Sequence, residues 1–321
     1  MFVYNRILYA IRDTDPRHAA GLAKVTALAR ACNARLDLFH AISEPLWLPE
    51  RRNDFTLADL KRDIIELHHA RLEKLAARAR RRGVDVTCTA QWDHPPHEAI
   101  VRHAAKTGAD LIVAQCHQGR GTRWSMRLTD WELLRASPGP VLLMHNTNPY
   151  LRPAVLAAVD PLHVHAKPTG LDEQVLAGGQ ALATALRGKL HAVHANHPPL
   201  LGVAAETPFV EEDLLSHGRR EFERLLDRAD LSRRCGHLVE GDPEDVIPEV
   251  AADVGARIVV MGAVSRSGLK RLFIGNTAER VLGKLTCDVL VVKPREFRSR
   301  VPAARRPSLV LAPAASNVLP A

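Results

Sequence analysis

The chain carries one pattern twice, at a spacing of roughly 150 residues, and this repeat restricts the fold more than any other feature. Ile7-Leu-Tyr-Ala-Ile11 answers Val155-Leu-Ala-Ala-Val159, and Leu36-Asp-Leu-Phe-His40 answers Leu190-His-Ala-Val-His194. Further on, Pro96-His-Glu-Ala-Ile100 answers Pro243-Glu-Asp-Val-Ile247, and Gly108-Ala-Asp-Leu-Ile-Val113 answers Gly255-Ala-Arg-Ile-Val-Val260. Each half closes on a short apolar strand, 141–144 or 289–292. A unit of about 145 residues lies within the usual range of one domain.

Between the apolar runs lie segments of helical period: Leu22, Val25, Leu28 and Cys32 in the first half, and Val175, Leu176, Gly179, Leu182 and Leu186 in the second. Strands alternating with helices require right-handed crossovers, so the expected class is α/β, two doubly wound parallel sheets of roughly five strands each. Asp93 with Pro95 and Pro96, and Asp242 with Pro243, are matching helix-start signals. The proline-bearing joint His145-Asn-Thr-Asn-Pro149-Tyr-Leu-Arg-Pro153 is short enough to hold the halves close. The expected division is a first domain over residues 1–148, a second over 149–297 and a disordered basic tail over 298–321.

The net charge of +8 invites a nucleic-acid reading, but its arginines gather where duller reasons suffice. Arg78-Ala-Arg-Arg-Arg82 ends a long helix, where cations complement the dipole, and the other cluster, Arg295 to Arg306, lies in the tail. No recognition motif accompanies them, so direct nucleic-acid binding is not expected. Five scattered cysteines without a Cys-x-x-Cys pair point to a reducing compartment. With no signal peptide and no apolar run of ~18 residues, the expected location is the cytoplasm, with no membrane contact. His94, His97 and His103 fit no zinc spacing, so no metal is expected. Trp92, Trp124 and Trp131 pack loops or line an apolar pocket. No Gly-x-Ser-x-Gly elbow supports a nucleophile, so no catalytic residue is assigned.

The stretch from Ile258 to Glu279 runs a buried strand into a loop marked by Gly262 and Gly275, and then into a helix opened by Asn276 with Glu279 three residues on. A helix N-terminus presents unpaired N–H groups and a partial positive charge of roughly +0.5. Glycine there lets the backbone close on an anion. This is the build of a phosphate cradle.

With these residues in place, 5–297 resembles a tandem universal stress protein of the E type. In members that bind ATP the motif is Gly-x2-Gly-x9-Gly-Ser/Thr; here it reads Gly262-x2-Ser265-x9-Gly275-Asn276, followed by Thr277. Ser265 stands where a glycine opens the approach to the phosphates, and Asn276 where a hydroxyl belongs, which Thr277 supplies one residue late. The resemblance implies the strand order 3-2-1-4-5, with ligands outside the carboxyl ends of strands one and four. Asp160, at the family's adenosine-contacting position, would then join Gly262, Ser265, Gly275, Asn276 and Thr277 in one pocket, with Arg266 at its rim. The first half has Arg12 opposite Asp160, Gln115 opposite Gly262, Gln118 opposite Ser265 and Leu128 opposite Gly275, while Thr129 and Glu132 keep the cap.

The resemblance implies a protein that acts by ligand binding in the stress response, including resistance to DNA-damaging agents. ATP or another adenine nucleotide would occupy at most one site, in the second half. Two alternatives compete: a carrier of an apolar ligand such as a lipid, and a slow nucleotide hydrolase. Family members pair through their last strands, so the partners expected besides the small molecule are the other half of the chain, as an intrachain pseudo-dimer, or a second copy.

Overall fold

The computed structural model describes residues 3–15, 20–43, 56–118, 124–125, 128–162, 170–196, 208–263 and 276–303. The first half runs β1 (Arg6–Ala10), α1 (Ala20–Ala31), β2 (Arg35–Ile42), α2 (Leu57–Arg80), β3 (Val86–Trp92), α3 (Pro96–Thr107), β4 (Leu111–Gln115), a small hairpin of β5 (His117–Gln118) and β6 (Trp124–Ser125), α4 (Leu128–Ala136) and β7 (Val141–Met144). The second half repeats it as β8 (Ala154–Ala158), α5 (Leu171–Ala185), β9 (Lys189–Asn196), α6 (Pro208–Arg228), β10 (Gly236–Glu240), α7 (Pro243–Asp253), β11 (Ala256–Gly262), α8 (Asn276–Lys284) and β12 (Asp288–Val292). The hairpin is an addition the sequence did not announce.

Among the described residues, ten strands form one sheet in the order β10-β9-β8-β11-β12-β7-β4-β1-β2-β3. Within each half the order is 3-2-1-4-5 and every pairing is parallel. The halves join edge to edge through their last strands, antiparallel, with Leu290 opposite Leu142. Two sheets therefore become one. Antiparallel joining also sends the carboxyl ends of the two sets of strands to opposite ends of the molecule.

The near-continuous apolar strands are buried on both sides, as a parallel sheet requires. Helices α1, α2, α5 and α6 cover one face through residues such as Leu28, Leu72, Leu182 and Phe222. On the other face, α3, α4, α7 and α8 bring Ile100, Leu134, Ile247 and Val281. Each buried side chain of this size contributes about 1.5–3 kcal/mol. Both apolar layers run unbroken across the seam.

Local signals explain where the helices begin and end. Asp242 stands at the N-cap position of α7 with Pro243 first in the helix, as expected, although its side chain makes no capping hydrogen bond. Before α3, Pro95 takes the cap, while fully buried Asp93 pairs with Arg102 at 2.9 Å. Thr56 and Asp59 close a capping box on α2, and at the far end of that helix Arg80 pairs with Glu73 at 2.7 Å.

The joint between the halves is pinned by one buried carboxylate. Asp288 accepts the His145 backbone N–H at 2.9 Å, the Tyr150 hydroxyl, and the Lys24 ammonium at 2.5 Å, with Lys24 and Asp288 side chains 1% and 0% exposed. Lys24 also donates to the Asn146 carbonyl at 2.9 Å and lies 4.4 Å from the Tyr150 ring centre. Burial lowers the Lys24 pKa and Asp288 works against that shift. The start of the tail departs from the expected disorder. The Ser299 hydroxyl donates to the Ala136 carbonyl at 2.7 Å and Val301 packs on the α4 side of the core. Residues 304–321 lie outside the described residues.

Candidate functional site

In a doubly wound sheet the crevice opens where strand order reverses, here beyond β8 and β11 in the second half. Register places Ala158 beside Met261, so Asp160 and Gly262 emerge from neighbouring strand ends. The Asp160 backbone N–H donates to Asp172 Oδ1 at 3.1 Å, which ties the end of β8 to the first turn of α5. Asp172 is almost wholly buried, and Gly170 turns into α5 at φ +90°, a conformation that favours glycine.

Gly262 has a packing reason of its own. A Cβ on Gly262 would come within 2.7 Å of Leu171 Cδ2, so the first residue of α5 rests directly against this backbone. Asn276 opens α8 and Thr277 is half-buried in its first turn. Ser265, Arg266 and Gly275 lie outside the described residues. Glu279, read from the sequence as the returning arm of a capping box, accepts a hydrogen bond from Arg135 of the first half at 3.2 Å.

The equivalent crevice of the first half is bridged. Arg12, just past β1, pairs through its guanidinium with Asp130 in the first turn of α4, and Asp130 is 1% exposed. This ion pair spans from the strand end to the helix start, across the ground a phosphate at that N-terminus would need. Gln115, opposite Gly262, accepts from the Tyr9 hydroxyl at 3.4 Å. Room for it comes from Gly21, whose Cβ would lie 2.4 Å from Gln115 Oε1. Both halves thus place a glycine at this junction, on opposite partners: the strand end in the second half, the helix in the first.

His40 and His194 occupy matching places and bond through Nδ1 to the carbonyls of Ile11 at 2.8 Å and Val159 at 3.3 Å, the residues just before Arg12 and Asp160. A carbonyl only accepts, so Nδ1 carries the proton in both. The repeat alignment contained these histidines, but their task needed the fold. Of the three histidines weighed as a metal cluster, two have neighbours of their own. His103 stacks on Phe39 at 4.3 Å, with burial lowering its pKa, and His94 bonds Ser43. Trp92 lies under Lys61 of α2 and Trp131 packs on the α4 side of the core, so these two indoles are on opposite faces and line no common pocket.

Comparison with known proteins agrees with the geometry. The profile of the Universal stress protein family matches residues 3–145 and 155–293. Universal stress protein E of Escherichia coli K12 is 31% identical over 232 residues, covering 68% of this chain and 72% of its own. The Universal stress protein E homolog of Haemophilus influenzae is 27% identical over 293 residues, covering 89% and 91%. Among solved structures, a functionally unknown protein from Pseudomonas aeruginosa PAO1 superposes with a TM-score of 0.72 at 26% identity, over 91% of this chain and 93% of that one. A universal stress protein from Archaeoglobus fulgidus shares the fold, with a TM-score of 0.66 at 16% identity, over 92% and 100% of the chains.

Proposed function

The chain belongs to the universal stress protein family, in its tandem form, and from that membership we propose a stress-response protein that acts by binding an adenine nucleotide at one site in its second half. The observation that carries the reading is the contrast between the two crevices. The second presents Asp160 and the Cβ-less Gly262 at adjacent strand ends with α8 starting beyond them, whereas Arg12 and Asp130 bridge the first. Asp160 would contact the adenosine portion and Gly262, Ser265, Gly275, Asn276 and Thr277 the phosphates, with Arg266 at the rim. Residues 149–297 form the binding domain in this reading, and 1–148 its structural partner.

Binding rather than turnover is the proposed mode of action. Hydrolysis needs a base or a water-positioning carboxylate beside the γ-phosphate, and residues 262–278 contain no Asp, Glu or His. No described helix is long and apolar enough to cross a membrane. We assign the protein to the cytoplasm, where its five free cysteines stay reduced. Resistance to DNA-damaging agents is the cellular role we attach to it.

Calorimetric titration of the full chain with ATP tests the proposal. Asp160→Ala should weaken binding about tenfold, equivalent to ~1.4 kcal/mol, and Gly275→Asp should abolish it by placing a carboxylate at the helix mouth. Arg12→Ala should leave the affinity unchanged. Binding that survives Gly275→Asp, or depends on Arg12 and not Asp160, overturns the assignment.

A further inference from the structure

On the face covered by α4 and α8, two cationic side chains, one from each half, lie near the seam with too few acceptors: Lys293 is buried, and Arg135 is about a quarter exposed. Lys293 follows directly after β12 and is only 5% exposed. Among the described residues no carboxylate or carbonyl receives a hydrogen bond from its ammonium, which lies 4.5 Å from the centre of the Phe297 ring. Arg135, from α4, gives one terminal nitrogen to Glu132 at 3.0 Å and the other to Glu279 at 3.2 Å. Its third nitrogen, Nε, is buried, and its N–H has no acceptor among the described residues.

The segment that follows Lys293 runs back along α4, where the Ser299 hydroxyl donates to the carbonyl of Ala136, the neighbour of Arg135, at 2.7 Å. Burial lowers the Lys293 pKa to about 8, and the charge of Arg135 is the second cause. A buried ammonium without a counter-ion costs several kcal/mol, and an unpaired buried N–H about 1–3 kcal/mol, and both costs are relieved by the same thing: an acceptor carrying negative charge. The side chains of Glu132 and Glu279 are 35% and 33% exposed and already hold the outer edge of the guanidinium. Their repulsion is screened by solvent but limits the occupant to a small anion of modest affinity, on the order of millimolar.

We propose that Arg135 and Lys293 form a binding site for a small inorganic oxyanion of the phosphate class, held between the two halves of the chain. Charge-assisted hydrogen bonds from the ammonium and from Nε–H would hold it. The site lies apart from the loop at 262–277, although Arg135 also reaches α8 through Glu279, so the test must separate the two.

Inorganic phosphate is titrated into the full chain in chloride buffer of matched ionic strength, without nucleotide, and binding is followed by calorimetry and by the shift in melting temperature. Wild-type protein should bind one phosphate per chain and melt higher than in chloride. Lys293→Met and Arg135→Gln should each weaken binding about tenfold or more. Lys293→Met keeps the volume of the stem, and its melt in chloride reports whether it has folded. Gly275→Asp, which obstructs the loop, should keep the phosphate response. No phosphate binding by wild type, equal binding by Lys293→Met, or loss of binding in Gly275→Asp would overturn the proposal, the last because the ion then sits in the loop.

Discussion

Arg12 and Asp160 stand at the same point of a duplicated fold, each just beyond the first strand of its half, and they have taken opposite charges with opposite consequences. Arg12 crosses to Asp130 and fills its crevice from within. Asp160 stays at the end of its own strand, its backbone tied to Asp172 in the first turn of α5. The seam shows the same divergence. Lys24 pairs with Asp288 on one side of the pseudo-twofold axis through Leu142 and Leu290, whereas on the other the matching positions hold Gly178 and Pro140, and Tyr4 donates to the Gly178 carbonyl at 3.4 Å. Both halves keep the frame, and the first bridges its crevice with an ion pair. A duplicated sheet therefore tolerates exchange of charged side chains at strand ends, and at Arg12 and Lys24 the new charge has a carboxylate partner.

The seam offers the largest test of this view. Asp288→Asn leaves Lys24 buried without its counter-charge and should cost about 3–5 kcal/mol in urea unfolding, while Gly178→Ala on the opposite side should change stability by less than about 1 kcal/mol. Similar costs on the two sides would remove the asymmetry.

A second test uses pH. Lys293 is more readily deprotonated in the folded chain than the ordinary lysine value of 10.5. The unfolded chain therefore binds more protons between about pH 8 and 10.5, and stability should rise with pH across that window. The gain is on the order of 3 kcal/mol, measured in phosphate-free buffer as the difference between wild type and Lys293→Met, which cancels the other titrating groups. A flat difference would mean that Lys293 is not buried as a cation.

Gly262→Ala comes next. Its Cβ would press on Leu171, at a cost of about 1–3 kcal/mol, whereas Gly283→Ala, a helix position with nothing within 4 Å, should stabilise by up to about 1 kcal/mol. A Gly262→Ala variant as stable as wild type would leave phosphate approach as the remaining reason for glycine at this strand end. The smallest expected effect is in affinity alone: Ser265→Gly should tighten ATP about tenfold, or ~1.4 kcal/mol, in the same titration used for Asp160. Unchanged affinity would mean that the loop does not meet the phosphates at this position.

Much of this molecule was legible along the chain, because its elements are written in short-range patterns. The apolar runs at Ile7, Val155, Gly108 and Gly255 became β1, β8, β4 and β11, and the spacing of Leu22, Val25 and Leu28 became the buried stripe of α1. Asp242 before Pro243 gave the start of α7 to the residue. Equivalent residues across the repeat also identified which crevice had kept its glycines.

The repeat, the alternation of strands and helices and the family could all be read from the order of residues. Folding in three dimensions was needed to run one sheet through both halves, to give Asp93 an ion pair while Pro95 caps the helix, and to make Gly262 the space for Leu171. It also chose the partners of the buried charges: Arg12 with Asp130, Lys24 with Asp288, and Arg135 with a glutamate from each half. Secondary structure follows periods of two and 3.6 residues, which a reader of the chain can count. A buried charge is satisfied by whatever acceptor the fold brings within about 3 Å, and here that acceptor can lie more than 100 residues away, where no local pattern points to it.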